Sequence, residues 1–215
     1  VESLGDVLEA DPPGPFDAEP IVVQGRGMER WLSMELARRF GVWANPSFPF
    51  PRRFLLDLFE RHLDVGRAET SPFEPEALSW AIAARLPRLL DRPAFAPLAR
   101  YLEKEDGAGR LLALSDRIAR TFDDYVVFRW QMIEQWQRRD DGSWQSMLWR
   151  RLVEDLGTHH VAALARRLAD RIASDGAERL PSRISIFGVS TLAPLYLRIF
   201  TAVAAVSDVH LFTLS

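Results

Sequence analysis

Residues 21–40 constrain the fold of this chain more than any other stretch of its sequence. They begin with three strand-forming apolar residues, Ile21 to Val23, and a turn at residues 24–27 follows. Beyond the turn, the apolar residues recur with a period of about 3.6, which is the period of one helix face. The residues on this face are Met28, Trp31, Leu32, Leu36 and Phe40. The pattern predicts a buried strand, a tight turn and an amphipathic helix, which together form the first half of a βαβ unit.

The turn at residues 24–27 lies where open α/β sheets often bind ligands, between the carboxyl end of a strand and the next helix. A nucleotide-binding P-loop needs the pattern G-x-x-x-x-G-K-[ST], in which the lysine contacts the β and γ phosphates. Gly25 and Gly27 are too close together for that pattern, and the single lysine of the chain is Lys104, in an acidic run. We therefore predict that the glycines serve a tight turn and that this chain binds no cofactor.

The composition excludes several classes of protein. Hydrophobic residues make up 47% of the 215 residues, which excludes a disordered chain and suffices for one large domain or two small ones. No apolar run reaches the roughly 18 residues that a membrane-spanning helix needs. The chain has no cysteine, which excludes disulfides and thiolate zinc sites and fits a cytoplasmic protein. The net charge of −3 is not that of a general polyanion binder, but arginine, which supplies nearly all the basic residues, can bind phosphates where it clusters.

The chain is predicted to be an α/β protein with a long helical segment between its strands. Residues 1–51 contain the strand, turn and helix described above and the proline-rich segment NPSFPFP. Residues 52–177 carry helical patterns throughout, and residues 178–215 return to strand patterns. These three ranges are the predicted domain organisation.

The C-terminal range is predicted to add two strands to the sheet. Apolar, strand-forming residues occupy positions 184–189 and 209–212. Between them, Ser190 and Thr191 are predicted to cap a helix that has Pro194 in its first turn.

Aromatic residues concentrate in two places, and each allows two interpretations. Phe48 and Phe50 lie among prolines, which disfavour a central strand, so they either fill the core between layers or form an apolar ledge for a base or a peptide. A second concentration contains four tryptophans within 20 residues, which either pack in the core or form an interface. These are Trp130, Trp136, Trp144 and Trp149.

Asp123 and Asp124 form an acidic pair within the segment RTFDDYVVFRW, close to Arg129 and to several aromatic residues. They can be solvated charges at a helix end, or ligands of a divalent ion in a hydrolytic site. They can also contact bases, because carboxylates accept hydrogen bonds from cytosine while arginine donates to guanine or phosphate. The Glu-x-Lys pattern of a common two-metal nuclease is missing, and the histidines lack metal-ligand spacing, so we predict no metal site.

Three blocks of sequence occur in a characteristic order. They are the run IVVQGRGMERWLSMELARRFGVWANPSFPFPRRFLLDLF, the segment FDDYVVFR at residues 122–129, and the run LPSRISIFGVSTLAPLYL at residues 180–197. Together they resemble the gamma-subunit family of exodeoxyribonuclease V, the RecC family, and the resemblance covers essentially the whole chain. It implies an α/β fold with a parallel-sheet, P-loop-like core of a degenerate superfamily 1 helicase and a large inserted α-helical subdomain. It also implies that Phe187 and Gly188 stand where an active motor would carry magnesium-binding acids.

The resemblance implies a set of residues that contact DNA, because the family scans the 3′ single strand leaving its helicase partner and recognises a regulatory sequence in it. Matched position by position, these residues are Gln24, Phe50, Leu56, Asp123, Asp124 and Arg129. The chain departs from the family pattern at Leu56, where the family has an aromatic residue. Arg120 and Thr121 also replace an acid and an apolar residue. Such changes alter the hydrogen-bonding and stacking capacity of base-reading positions.

The function that the resemblance implies is that of a non-catalytic DNA-binding scaffold subunit in a helicase–nuclease complex of double-strand-break repair. The expected partners are the 3′ single-stranded DNA tail and the beta (helicase–nuclease) and alpha (helicase) subunits of the same complex, with no membrane. ATP and magnesium are expected only in those subunits. Three alternatives are an active ATPase or helicase, a nuclease that uses Asp123 and Asp124, and a pure protein-interaction scaffold without direct DNA contact.

Overall fold

The computed structural model describes residues 1–12, 14, 19–43, 46–103, 107–175 and 180–213. The chain is mostly helical and contains a small parallel sheet. The strands are β1 (Glu19–Val22), β2 (Pro46–Ser47), β3 (Arg183–Phe187) and β4 (Asp208–Phe212). The α-helices are α1 (Glu2–Ala10), α2 (Arg26–Phe40), α3 (Pro51–Leu63), α4 (Arg67–Thr70), α5 (Pro75–Arg85), α6 (Ala96–Leu102), α7 (Gly107–Phe128), α8 (Trp130–Arg138), α9 (Trp144–Leu156), α10 (Val161–Asp175) and α11 (Pro194–Val203). Short 3₁₀ turns occupy Ser71–Phe73, Leu86–Leu89 and Pro93–Phe95.

The chain divides into two compact units. The sheet unit consists of Val1–Asp64 and Arg167–Ser215, and the helical unit consists of Val65–Arg166. The sheet unit includes α3 and the second half of α10, which the sequence pattern assigned to the helical segment of residues 52–177. A compact unit does not by itself identify an inserted domain, so the predicted domain organisation stays a prediction.

The sheet has the strand order β2-β1-β3-β4, and every neighbouring pair of strands is parallel. This confirms the predicted parallel sheet, whereas the P-loop-like helicase core and the inserted subdomain stay predictions. The central strands β1 and β3 are buried along their whole length, as expected for parallel strands that are covered on both faces. The predicted βαβ unit is also present, since β1 pairs in parallel with β2 after the crossover through α2.

The core of the sheet unit is built from one face of α1 and α2 and from the buried strands. Its buried members are Leu4, Leu8, Ile21, Val23, Leu32, Leu36 and Phe187. The prediction that Leu32 and Leu36 of α2 lie in the core is therefore confirmed. The same prediction for Trp31 was wrong, because its side chain is 40% exposed. Neighbours on a helix point about 100° apart, so Trp31 and Leu32 cannot both face the sheet. The Trp31 ring instead lies at the edge of the core, with its centroid 6.1 Å from that of Phe187.

A buried ion pair joins the beginnings of β1 and β3. Arg183 Nε lies 2.9 Å from Glu19 Oε1, and Arg183 Nη2 lies 3.0 Å from Glu19 Oε2. Arg183 Nη1 also donates to the carbonyl oxygen of Val7, 3.2 Å away, which ties α1 to the sheet. The bidentate geometry satisfies both carboxylate oxygens, as a buried charge requires.

The helix α11 begins later than its sequence predicts. Its N-cap is Ala193, which makes no side-chain capping hydrogen bond, so the prediction that Ser190 and Thr191 cap this helix was wrong. Pro194 occupies the first helical position, where its fixed φ and missing N–H fit best, and the cap position therefore falls on the residue immediately before it.

The core of the helical unit is aromatic. Trp149 is fully buried, and its ring makes edge-to-face contacts with the rings of Phe122 and His160, at centroid distances of 5.4 and 5.1 Å. Trp136 is also buried and packs edge-to-face on Phe122 at 6.3 Å. The core-packing interpretation is confirmed for these two tryptophans.

Within the described ranges, no helix is both long and apolar enough to cross a membrane.

Candidate nucleic-acid interface

The carboxyl ends of β1, β2 and β3 lie at the same edge of the sheet because the strands are parallel. The helices α2, α3 and α11 follow these strands directly, so their N-termini lie at this edge as well. Their N-caps are Gly25, Phe50 and Ala193, and among the described residues none of the three makes a side-chain capping hydrogen bond. Backbone N–H groups at a helix N-terminus that lack a capping side chain favour an anionic partner.

The gap between β1 and β3 is the topological switch point of this sheet, because the chain continues from β1 to β2 on one side and returns to β3 on the other. Open α/β sheets bind ligands at such a point. Gln24, directly after β1, is exposed, and its Nε2 donates a 2.9 Å hydrogen bond to the carbonyl oxygen of Thr191. One N–H and the amide oxygen of Gln24 stay available, which is the pair of groups that recognises adenine.

Phe50 lies at the same edge as Gln24. The N–H of Val23 donates to the carbonyl oxygen of Pro49 at 3.1 Å, which extends the contact between the ends of β1 and β2. The next residue, Phe50, is 39% exposed, whereas Phe48 packs partly buried against the core of the sheet unit. Phe48 therefore packs against the core, as one interpretation predicted, and Phe50 lies on the surface, where a contact with a base or a peptide stays a prediction.

Leu56 is half-buried and lies on α3, which begins next to Phe50. Its neighbours Leu55 and Phe59 point into the core and are fully buried. The structure therefore brings Gln24 and Phe50 to one edge of the sheet, and it places Leu56 on the flank of the helix that starts there.

Arginines occupy the first turns of α2 and α3, two of the three helices at this edge, and the first turn of α2 also contains Glu29. Arg26 is the first residue of α2, and Arg52 and Arg53 follow the first residue of α3, which has no acidic residue in its first turn. Positive side chains at a helix N-terminus oppose the helix dipole, where an acid would stabilise it. Arg53 is partly compensated by Asp57, 2.9 Å away in the next turn. The first turn of α3 therefore carries two positive side chains and no acid, a combination that can contact a polyanion.

The backbone of the turn does not require glycine, contrary to the prediction. Gly25 has an extended backbone with φ of −168°, and Gly27 is not among the glycines with positive φ. A Cβ placed on either residue would meet no described atom within 4 Å. The glycines therefore leave open space above the N-terminus of α2, which permits close approach of a ligand to the backbone.

The other predicted residues belong to the helical unit and lie at the exposed corner between α7 and α8. Asp124 is exposed and Asp123 half-buried in the last two turns of α7. Arg129 is the N-cap of α8, and its guanidinium lies 5.3 Å from the centroid of the Tyr125 ring, a cation–π contact that orients it. Phe128 beside it is 51% exposed. The corner therefore presents a carboxylate, a guanidinium and an aromatic ring to solvent.

The acidic pair has no metal-site geometry in the part of the chain that the structure describes. No group of three or more His, Asp or Glu side chains in these residues could hold a metal ion. Asp123 and Asp124 are adjacent on a helix and therefore point about 100° apart.

The residue that sequence reasoning missed at the sheet edge is Thr191. It acts through its carbonyl oxygen, which carries no signature of residue type. The signal that could have found it is the predicted pairing of two buried parallel strands, since Ile21 lies opposite Ser185 in the sheet and the loops after both strands must meet.

A family model described as "RecC, N-terminal domain" matches residues 1–215, which is the whole chain. The chain belongs to the RecC N-terminal domain family. It is 36% identical over 92% of its length to the RecBCD enzyme subunit RecC of Escherichia coli K12, and it is 34% identical over 98% of its length to that of Mycolicibacterium smegmatis. It is 32% identical over 98% of its length to the RecBCD enzyme subunit RecC of Haemophilus influenzae.

The chain spans about a fifth of the length of these RecC relatives, between 19% and 22%. The match to the family model confirms the family resemblance, on which the predicted DNA contacts depend. The contacts themselves remain predictions.

Proposed function

We propose that this chain is the N-terminal part of a non-catalytic subunit of a RecBCD-like helicase–nuclease complex in double-strand-break repair. In this proposal it guides the 3′ single strand of DNA and scans it for a regulatory sequence. The beta and alpha subunits of the complex are its protein partners and supply ATP and magnesium chemistry in the cytoplasm.

The observation that carries the proposal is the carboxyl edge of the sheet. Helix N-termini, first-turn arginines and two glycines with open space above them meet there, and Gln24 and Phe50 stand beside them. This combination suits a polynucleotide, because N–H groups and guanidinium groups bind phosphates, an exposed ring stacks on a base, and an amide reads a base edge. The chain's single lysine, Lys104, is far in sequence from the turn, which supports a role without nucleotide hydrolysis.

The exposed corner of the helical unit supports the same function by its chemistry. Asp124 can accept a hydrogen bond from cytosine N4, and Arg129 can donate to guanine or to phosphate. Phe128 offers a stacking surface next to both. Leu56, being half-buried and aliphatic, contributes apolar contact without ring stacking.

Photocrosslinking from defined positions tests the proposal. The photoreactive residue benzoylphenylalanine replaces Phe50 in the full-length subunit, which is assembled with its partner subunits and mixed with a duplex that carries a 3′ tail. We expect a crosslink to the 3′ tail, and we expect Phe50→Ala to weaken binding of the tail by about 1–3 kcal/mol, the value of one lost base stack.

Val42 provides the matched control. It is apolar and 78% exposed, but it lies before β2 and therefore at the opposite, amino edge of the sheet. The same photoreactive residue at Val42 should give no crosslink, and Val42→Ala should leave binding unchanged. Equal crosslinking from both positions, or from neither, would contradict the proposal.

One observation favours a second candidate function, that of a protein-interaction scaffold without direct DNA contact. Trp31 and Met34 are three residues apart on α2 and are 40% and 45% exposed, so two large apolar side chains lie next to each other on the surface of this helix. Exposed tryptophan is typical of the centre of protein interfaces. This candidate predicts that Trp31→Ala and Met34→Ala weaken assembly with the partner subunits, while the 3′ tail never crosslinks to position 50.

A further inference from the structure

The helical unit contains a cleft whose walls are dominated by arginine. Its volume is about 480 Å³, and it lies where the end of α5 and the residues that follow it meet α9. Arg85, Arg88 and Arg92 line one side, and Arg151 of α9 lines the other together with Asp155. None of these residues belongs to the interface described above.

Two of the arginines are held in place by one carboxylate. Arg85 Nε lies 2.7 Å from Asp155 Oδ2, and Arg85 Nη1 donates to the carbonyl oxygen of Ala81 at 2.9 Å. Arg151 Nε approaches the same Asp155 oxygen at 3.5 Å. The hydrogen bond from Arg85 and the positive charges of Arg151 and Arg88 lower the pKa of Asp155. The carboxylate is therefore ionised at neutral pH and fixes the guanidinium groups around it.

The cleft keeps a surplus of positive charge after these pairings. The acids that contact its arginines are Asp155 and Glu154, the latter 3.4 Å from Arg151. Arg88 and Arg92 are exposed and four residues apart, and in the described ranges no carboxylate lies within 4.0 Å of either guanidinium. The ion pair between Arg85 and Asp155 therefore holds the two sides of the cleft together. The guanidinium groups of Arg88 and Arg92 can bind an anion that enters the cleft.

The lining decides which kind of anion fits. The apolar lining consists of Ala84 and Leu89, so the part of the chain that the structure describes gives the cleft no aromatic wall on which the base of a mononucleotide could stack. Among these described residues there is also no apolar pocket for the anchor side chain of a peptide. A phosphodiester backbone needs neither, since guanidinium groups bind phosphate oxygens bidentately and without regard to base sequence.

We propose that this arginine cleft is a binding site for the phosphodiester backbone of DNA, which it contacts independently of sequence through Arg88 and Arg92. The inference rests on the proposed function for the identity of its ligand, but it concerns different residues and a different chemistry. The corner and the sheet edge would read bases, whereas the cleft would contribute charge alone.

The salt dependence of binding tests this proposal. The double variant Arg88→Gln/Arg92→Gln is made in the full-length subunit, assembled with its partners, and titrated with two 3′-tailed duplexes of unrelated sequence at several salt concentrations. Each phosphate contact contributes roughly 0.7–0.9 to the slope of log K against log salt concentration. We expect the slope to fall in magnitude by roughly 1–2, equally for both DNA sequences.

Arg100 and Arg117 supply a control with the same change in charge. Both are exposed residues of the helical unit that do not line the cleft. The variant Arg100→Gln/Arg117→Gln should keep the slope of the parent complex. An unchanged slope for the cleft variant, or an equal loss for both variants, would overturn the proposal. So would a cleft variant that fails to assemble although its helical unit is folded, since this result would assign the cleft to an acidic partner protein.

The test is separable from that of the proposed function. A reduced slope together with a crosslink from position 50 supports both. A normal crosslink with an unchanged slope overturns the cleft alone, and a reduced slope without any crosslink from position 50 overturns the reading of the 3′ tail alone.

Discussion

His160 is the residue whose ionisation the fold controls most strongly. It is 1% exposed, its Nε2 lies 2.7 Å from the side-chain amide of Gln137, and the backbone N–H of Ala163 donates to its Nδ1 at 3.3 Å. Burial lowers the pKa of His160 to about 3, and the charges of Arg166 and His159 act in the same direction.

This burial predicts a pH dependence of stability. A histidine has a pKa of about 6.5 in the unfolded chain, so below that pH the unfolded state binds a proton at this residue whereas the folded state does not. The free energy of unfolding should therefore fall as the pH decreases from 6.5, by up to about 1.4 kcal/mol per pH unit from this group. Urea denaturation followed by tryptophan fluorescence between pH 7.5 and 5 measures the effect.

Two variants separate the ionisation of His160 from its packing. His160→Gln removes the titrating group and should flatten the pH profile. Phe73→Leu disturbs the same core, since the Phe73 ring lies 5.6 Å from the ring of His160, but it should lower stability at every pH and leave the slope intact. A His160→Gln profile as steep as that of the parent chain would contradict the assignment.

At the scale of secondary-structure elements, the alignment of β1 with β3 depends on a charge pair inside an otherwise apolar sheet. Glu19 and Arg183 have side chains that are 7% and 6% exposed, and they begin the two central strands. A buried ion pair contributes little net stability, but the loss of one partner leaves the other charge buried in the core without an opposite charge.

We expect Arg183→Met to destabilise the sheet unit by about 3–5 kcal/mol, because Glu19 would stay buried without its partner. The double variant Glu19→Met/Arg183→Met should be clearly more stable than the single variant, since it removes both charges. Urea denaturation of the parent and the variants measures the difference. If the double variant is the less stable, the pair is itself a net source of stability, and this account of the strand alignment fails.

Helix termini show which local rules the packing overrides. α3 and α11 begin with proline, as the general preference for proline at the first helical position predicts. The side-chain caps that usually accompany such a start are missing from α2, α3 and α11 in the described chain. Among the helix N-caps that the structure describes, only Ser143 of α9 makes a side-chain capping hydrogen bond, so the uncapped N-termini at the sheet edge do not by themselves mark a functional site.

At the scale of the whole molecule, the proposed loss of motor chemistry leads to a direct prediction. β3 ends in Phe187, followed by Gly188, where the family resemblance would place magnesium-binding acids, and the turn after β1 has no lysine. We expect the purified full-length subunit, without its partners, to show no DNA-stimulated ATP hydrolysis. The assembled complex serves as the active control. Hydrolysis by the isolated subunit that disappears on Arg26→Ala would revive an ATP site at the turn.

Much of the fold was predictable because its signals are local. The three apolar residues at 21–23 and the period of 3.6 after Gly27 correctly predicted β1 and α2, with the strand shifted to Glu19–Val22. Leu32 and Leu36 were predictable as core residues because both lie at the centre of the stripe. The exposure of Trp31 was not predictable, because the burial of a residue at the margin of an apolar stripe depends on which elements pack against the helix.

The candidate interface was predictable only in part. Gln24 and Phe50 followed from the family resemblance, and their exposure and shared sheet edge followed from the structure alone. The glycines were predicted to shape the turn, but their dihedral angles and surroundings show that another residue would fit. Local sequence can suggest a turn, whereas the space above the turn is set by elements that are remote in sequence.

The sequence by itself determined β1, β3, α2 and the centre of the face that α2 buries, because the spacing of apolar residues encodes that face directly. Only the tertiary structure decided which remote groups meet. Gln24 contacts Thr191 across 167 positions, and Arg85 contacts Asp155 across 70. The physical reason is that an apolar stripe specifies that a face must be covered but not by which partner, so clefts and edges emerge only when the elements have packed.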